Sequence, residues 1–442
     1  MKNSNRFFLK LTFLFSLIFI FTFSPDGFSQ TINATTYAFS SSTGNTLEDM
    51  TTGLSRLSGN SDDVSAGSGG PTGGMMMFVA GERGLLTSCS SNGLMRVNGS
   101  SMSAAPVNDL ASGTDFPRLA PYWDDLRIGL NGSIRTKTVG TWPNRKFVMD
   151  YNNMQVPKGT AGQPGSANFQ IWIWEISGVI EFVYGTGMVE NPGGYTIGIG
   201  ASTTQFASVT TSDASVSYSV SNNTQTGAIA AGTKYTFTPQ NFSAPTNISF
   251  TNITSGGMRL NWADNSTGES RFVVYNSTDN VNFSYAGDVL QNVTTFFIST
   301  LQPSQTYYWK VYSVSQGGYS LSALEGTQST TAPVTKTSVP GAVIWGADAS
   351  WSPSGIPANG DDVIISDGSI MTINNSAACH SITIGQGSGG TLQYGTNAIV
   401  FTVYGSITVN MNGLFSAGTG TITGPYLAMN TITPLSFINN GT

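Results

Sequence analysis

Leu301-Gln302-Pro303-Ser304-Gln305-Thr306-Tyr307-Tyr308-Trp309-Lys310-Val311-Tyr312-Ser313-Val314 is the stretch that decides the fold. A proline-bearing turn leads into a run where Tyr307, Trp309 and Val311 occupy alternate positions. Alternate side chains of a strand share a face, so these three form one half of a two-sheet core. Working outward, Ile248–Phe250, Met258–Trp262, Phe272–Asn276 and Thr294–Ile298 are strand-like runs at sandwich spacing. Pro245 opens the set, and Leu260 and Trp262 share one face of the second run. The predicted core is Leu260, Trp262, Tyr307, Trp309 and Val311.

On those residues, 243–330 resembles a fibronectin type III domain. Leu301 through Tyr307 is similar to that family's Leu-x-Pro-x-x-x-Tyr corner. The resemblance implies a spacer or a binding surface far more readily than a catalyst.

The first 29 residues read as an export address. Lys2, Arg6 and Lys10 form a basic start, and Leu11–Phe23 is an apolar run without a charge. That run is short for a bilayer span and normal for a secretory signal. Gly27 and Ser29 are the small residues expected before a cut between Ser29 and Gln30. No cysteine lies nearby to take a lipid, so no lipid anchor is expected, and no later segment is apolar enough to cross a membrane.

Only 10% of the chain is charged, and the net charge is −6. Removing residues 1–29 takes Lys2, Arg6, Lys10 and Asp26 with it and leaves −8. An acidic chain with few Lys and Arg is a poor partner for nucleic acid, whose phosphates demand a basic face. Low charge with 52 glycines suits β-rich extracellular domains with many turns. Cys89 and Cys379 fall in different predicted domains and are expected as separate, packed thiols.

Residues 31–239 show period-two runs at Lys146–Tyr151, Phe169–Trp174, Val179–Tyr184, Tyr195–Ile199 and Lys234–Thr238. Ser177-Gly178 signals a two-residue hairpin turn, which would pair Trp174 with Glu181. The order Ser91-Asn92-Gly93-Leu94, then Leu119 through Leu126, then Pro143 through Val148, resembles a nidogen-like β-sandwich, assigned here to residues 30–239. Pro239–Ala244 and 331–341 read as linkers. From 342 to 442, glycine-punctuated short runs recur about every ten residues, as a β-solenoid requires. No polar cap is visible at Thr442, so the chain is expected to be the front of a longer product. The predicted class is therefore all-β: sandwich, fibronectin-like sandwich, solenoid-like segment. This order is similar to cargo of the bacterial type IX secretion system, although no sorting domain is recognisable.

Candidate chemistry is sparse. Cys379 and His380 are adjacent, so on a strand they face opposite ways and cannot form a nucleophile–base pair. Glu175 and Glu181 fall on opposite faces in the predicted register, which defeats a glycosidase pair. Asp124 and Asp125 are candidate metal ligands, with exposed turn carboxylates as the plainer reading. Trp172 and Trp174 share one strand face and could stack on sugar rings; packing between two sheets is the competing reading. No cofactor motif occurs. The sequence thus predicts a non-catalytic secreted or bacterial-surface adhesion or scaffold protein with protein or glycan ligands. The rival is an accessory region of a polysaccharide-degrading enzyme.

Overall fold

The computed structural model describes residues 34–315, 317–395 and 400–416, and the backbone of 426–429 and 437–439. The predicted signal segment, with Ser29 and Gln30, lies outside the described residues. Among those described, the fold is nearly all β, and no helix is long and apolar enough to cross a membrane.

Residues 38–238 form a sandwich of two seven-stranded sheets. The first sheet runs in the order Ala38–Ser42, Lys234–Thr238, Ile180–Tyr184, Ala167–Trp174, Lys146–Gln155, Arg127–Val139, Leu54–Ser58. The second runs Ser215–Ser217, Phe206–Thr210, Thr196–Gly200, Arg118–Trp123, Leu94–Val97, Thr87–Ser90, Ser65–Gly67. Alternation places Phe147, Met149, Tyr151, Phe169, Ile171 and Ile173 in the space between the sheets. Cys89 packs there as a free thiol. The turn at Ser91-Asn92-Gly93 is fixed by its own residues. Gly93 has φ +79°, and a Cβ there would fall 1.8 Å from the Tyr122 carbonyl oxygen. Buried Asn92 accepts from Leu126 N–H at 2.9 Å and donates to the Ala104 carbonyl at 2.5 Å.

Residues 246–329 form a second, smaller sandwich of three and four strands. Leu260, Trp262, Tyr307, Trp309 and Val311 lie together in its core with Met258, Phe272 and Leu301. The Tyr307 hydroxyl accepts the Gln302 N–H at 2.8 Å, which closes the corner before the strand.

Parallel pairing takes over beyond it. Val363 pairs with Ile382, Ile382 with Ile407, and Ile407 with Phe437, while Met371 pairs with Leu392 and Leu392 with Phe415. Three parallel ladders wrap a column of Val363, Ile365, Ile373, Ile384, Phe401 and Val403. Cys379 is inside the column, and Trp345 and Trp351 meet edge to face at 4.9 Å beside it.

Neither predicted linker is a free tether. Thr335–Ser338, inside 331–341, is a strand that joins the solenoid by pairing parallel with Asp362–Ile365. The stretch 239–244 is pinned where Ser313 Oγ donates to the Ser243 carbonyl at 2.7 Å.

Candidate functional sites

Trp172 and Trp174 lie on the outer face of the first sheet, away from the space between the sheets. Trp172 is 8% exposed and packs with Met50, Val148 and Val183 under the Leu47–Met50 segment. The Lys146 ammonium sits 3.3 Å from the Trp172 ring centroid and 4.8 Å from that of Trp174. It also pairs with Glu48 at 2.5 Å, and Trp172 Nε1 donates to Gln170 Oε1 at 2.8 Å. Trp174 is half-buried at the edge of a neighbouring cavity, whereas Trp172 is not an open sugar platform and does not fill the central core either. A lysine and a chain segment already cover it.

The hairpin that carries these tryptophans corrects the predicted register. Gly178 N–H donates to the Trp174 carbonyl and Trp174 N–H to that of Val179, so four residues, 175–178, make the turn. Trp172, rather than Trp174, is opposite Glu181. A shift of two residues keeps Glu181 on the tryptophan face, where it accepts from Trp174 Nε1 and pairs with Lys234, both at 2.7 Å. Beside this face a cavity of about 310 Å³ is lined by Glu48, Met50, Arg135, Asp150 and Gln170. Burial pushes the Asp150 carboxyl up to about 6, opposed by the hydrogen bond from Gln170 and by Arg135.

Glu175, released into the turn, becomes the centre of a joint between the two sandwiches. Its side chain is fully buried. Arg145 grips it through Nε and Nη2, both at 2.7 Å, and Met76 N–H and the Tyr275 hydroxyl each donate to it at 3.2 Å. Tyr275 and Tyr319 hydroxyls are 3.0 Å apart. Around this polar centre Met76, Phe78, Val273, Phe283, Tyr312 and Val314 form an apolar cluster drawn from both domains. Desolvation raises the Glu175 pKa above its ordinary value, and Arg145 opposes that rise. Sequence reasoning missed this joint, although Phe272-Val273-Val274-Tyr275 is apolar on consecutive positions and so demands burial on both faces of its strand.

A second buried carboxylate ties the smaller sandwich to the solenoid. Asp361 accepts from Ser255 Oγ at 2.6 Å, Ala358 N–H at 2.9 Å and Val334 N–H at 3.2 Å.

The remaining candidates separate. Asp124 and Asp125 do not converge on one point: Asp124 accepts from Asn191 at 2.5 Å, whereas Asp125 pairs with Lys158 at 2.8 Å. Asp62, Asp63 and Asp125 come together, and Lys158 reaches all three within 3.8 Å, so an ammonium already supplies their cation. The Cys379 thiol is buried and shifted well above its usual pKa by desolvation. His380 turns outward, and its Nδ1 lies 2.9 Å from Asp362.

Comparison with known proteins adds the family assignments. Residues 36–239 match the model described as NIDO related, and 243–328 match the fibronectin type III domain. No curated protein matches the chain. Among solved structures, an FN3 domain of human collagen XX is 19% identical, with TM-score 0.19, over 20% of this chain and 91% of that one. A computer-redesigned β-sandwich protein is 22% identical, with TM-score 0.18, over 20% of this chain and 89% of that one. The extracellular domains d3–d4 of rat CD45 are 14% identical, with TM-score 0.18, over 21% of this chain and 53% of that one. The chain carries a NIDO-related domain and a fibronectin type III domain, followed by a solenoid-like stretch.

Proposed function

We propose that this chain is a non-catalytic, secreted or surface-attached scaffold that presents β-domain surfaces to extracellular protein or glycan ligands. The observation that carries this reading is the pair of buried polar joints, Glu175 with Arg145 and Tyr275, and Asp361 with Ser255. Domains locked by desolvated carboxylates hold their outer surfaces in fixed relation, as a scaffold needs and a loose string of modules does not supply. The two glutamates weighed as a glycosidase pair are both engaged: Glu175 by Arg145, Glu181 by Lys234. Both domain types are consistent with an extracellular setting.

Beads coated with the purified protein and passed over immobilised extracellular polysaccharide and protein test the proposal. Retention above albumin-coated beads is expected, without hydrolysis of the polymer. Equal retention refutes adhesion, and hydrolysis above background that disappears in Glu181→Gln refutes the non-catalytic reading.

A further inference from the structure

The outer face of the second sheet carries an arginine that no carboxylate contacts directly among the described residues, although Asp115 and Asp109 lie near enough to act on it by charge. Arg118 opens its strand and is 3% exposed. Its guanidinium lies 3.9 Å from the Phe116 ring centroid and 5.1 Å from that of Trp123. Its hydrogen bonds go to the backbone carbonyls of Asp115 at 3.1 Å and Asp109 at 3.4 Å. The residue directly opposite on the neighbouring strand is Arg96, so two like charges sit side by side. The adjacent Asp115 carboxylate is committed elsewhere, to Arg96 at 3.1 Å and to Ser103 N–H at 2.7 Å. The Asp109 carboxylate accepts from Ala111 N–H at 2.9 Å.

A register irregularity in this strand brings Trp123 to the same outward face as Arg118 and Ala120, while Leu119 and Tyr122 point to the core. Trp123 is 3% exposed, and its indole N–H has no acceptor among the described residues. A buried cation without a contacting carboxylate and a buried donor without an acceptor are both unfavourable unless something fills the gap. Both residues line one cavity of about 270 Å³ under the 103–115 loop. Leu94 and Val107 give it apolar walls, Ser112 and Thr114 contribute hydroxyls, and Asp115, whose carboxylate is held by Arg96 and Ser103 N–H, borders it on one side. Burial pulls Arg118 down to about 10, opposed by the nearby charges of Asp115 and Asp109, which leaves it cationic at neutral pH.

We propose that this cavity binds a ring-sized carboxylate of the uronate type, with Arg118 holding the carboxylate and the Trp123 N–H serving a ring oxygen or hydroxyl. Guanidinium is the side chain best matched to a carboxylate. The cavity falls just below the usual size of ligand pockets, roughly 300–1,000 Å³, which fits one ring better than a chain. Mixed apolar walls and hydroxyls suit a sugar ring, whose carbons and hydroxyls need both. The inference stands apart from the scaffold reading, since it concerns one pocket and one ligand class.

Calorimetric titration of the whole chain tests it with sodium glucuronate, methyl β-glucuronide, glucose and inorganic sulfate. Glucuronate or its glycoside should bind with Kd of about 1 mM, and glucose and sulfate about tenfold more weakly or worse. Binding of either uronate form upholds the proposal, and the preference between them tells a free acid from a chain end. Arg118→Gln should abolish the signal. Because that change could disturb folding, Val107→Trp serves as the second variant. Val107 is 53% exposed at the cavity wall, so the larger side chain should block entry while leaving the melting temperature in place. Unchanged glucuronate binding by a folded Val107→Trp protein overturns the site. Equal binding of glucose, or of sulfate, overturns the ligand class.

Discussion

Replacing Arg145 with methionine should remove about 3 kcal/mol of stability at pH 7, and the size of that loss follows from the joint it breaks. Arg145 makes two charge-assisted hydrogen bonds of 2.7 Å to a carboxylate that is fully buried. Removing one partner of such a pair typically costs about 3–5 kcal/mol, because the other charge stays desolvated and uncompensated. Methionine keeps an apolar stem beside Trp142, so little packing should be lost. Glu175 can limit the damage by taking a proton, which places the expectation at the lower end of the range. That escape fixes the pH dependence. With its folded pKa raised further above the unfolded value, Glu175 binds a proton in the folded state first. The penalty should therefore shrink as pH falls from 7 towards 5. In Arg145→Met/Glu175→Gln the charge is gone, while the amide oxygen can still accept from Met76 N–H and Tyr275. Arg145 also donates to the Gly73 carbonyl, but that contact is lost in both variants and cancels in a double-mutant cycle. Urea denaturation of the four proteins should give a coupling of about 2 kcal/mol. A coupling below about 0.5 kcal/mol, or a penalty independent of pH, would show that the joint does not depend on this pair.

Three further outcomes are expected. Trp172→Ala should lower stability by about 3 kcal/mol through the cavity left among Met50, Val148 and Val183, and a thermal melt with no shift would contradict that packing. Trp262→Ala should cost about 3–5 kcal/mol through the cavity left in the smaller sandwich, read by the denaturant midpoint of the whole chain, and an unchanged midpoint would contradict that core. Asp150, pushed up to about 6, binds a proton in the folded protein where the unfolded chain has already lost it. Stability should accordingly fall, by on the order of 2–3 kcal/mol, as pH rises from about 4 to about 6. Asp150→Asn should flatten that part of the melting-temperature profile, and an unchanged slope assigns the titration to another group.

What could be read from the chain depended on whether the physics was local. Period-two alternation in Tyr307, Trp309 and Val311 needs no partner to be recognised, and the same holds for the short glycine-bounded runs of the solenoid. The hairpin at Ser177-Gly178 misled because the turn length was set from outside. Glu175 is drawn to Arg145 and Tyr275, and accommodating it makes the turn four residues long and moves Glu181 opposite Trp172. Trp172 and Trp174 were rightly placed on one face. Which face they occupied depended on Lys146 and the Leu47–Met50 segment, one on a neighbouring strand and the other more than a hundred residues away. Arg118 carried no motif at all. Its interest comes from Arg96 lying opposite and Asp115 turning aside, both products of pairing.

The apolar outer face of the four-stranded fibronectin sheet bears on how this region could ever be rearranged. A module joined by tethers can be duplicated, deleted or grafted elsewhere without consequence for its neighbours. Here Val273, Tyr275, Tyr312 and Val314 are buried against Met76 and Phe78 of the preceding domain. Excision would uncover two adhesive surfaces at once, together with an orphaned Glu175–Arg145 pair. Insertion or exchange at residues 239–244 should thus yield protein that aggregates even when each half retains its own core. A portable piece must therefore keep the two sandwiches together, and a cut on the solenoid side must also keep Ser255 with Asp361.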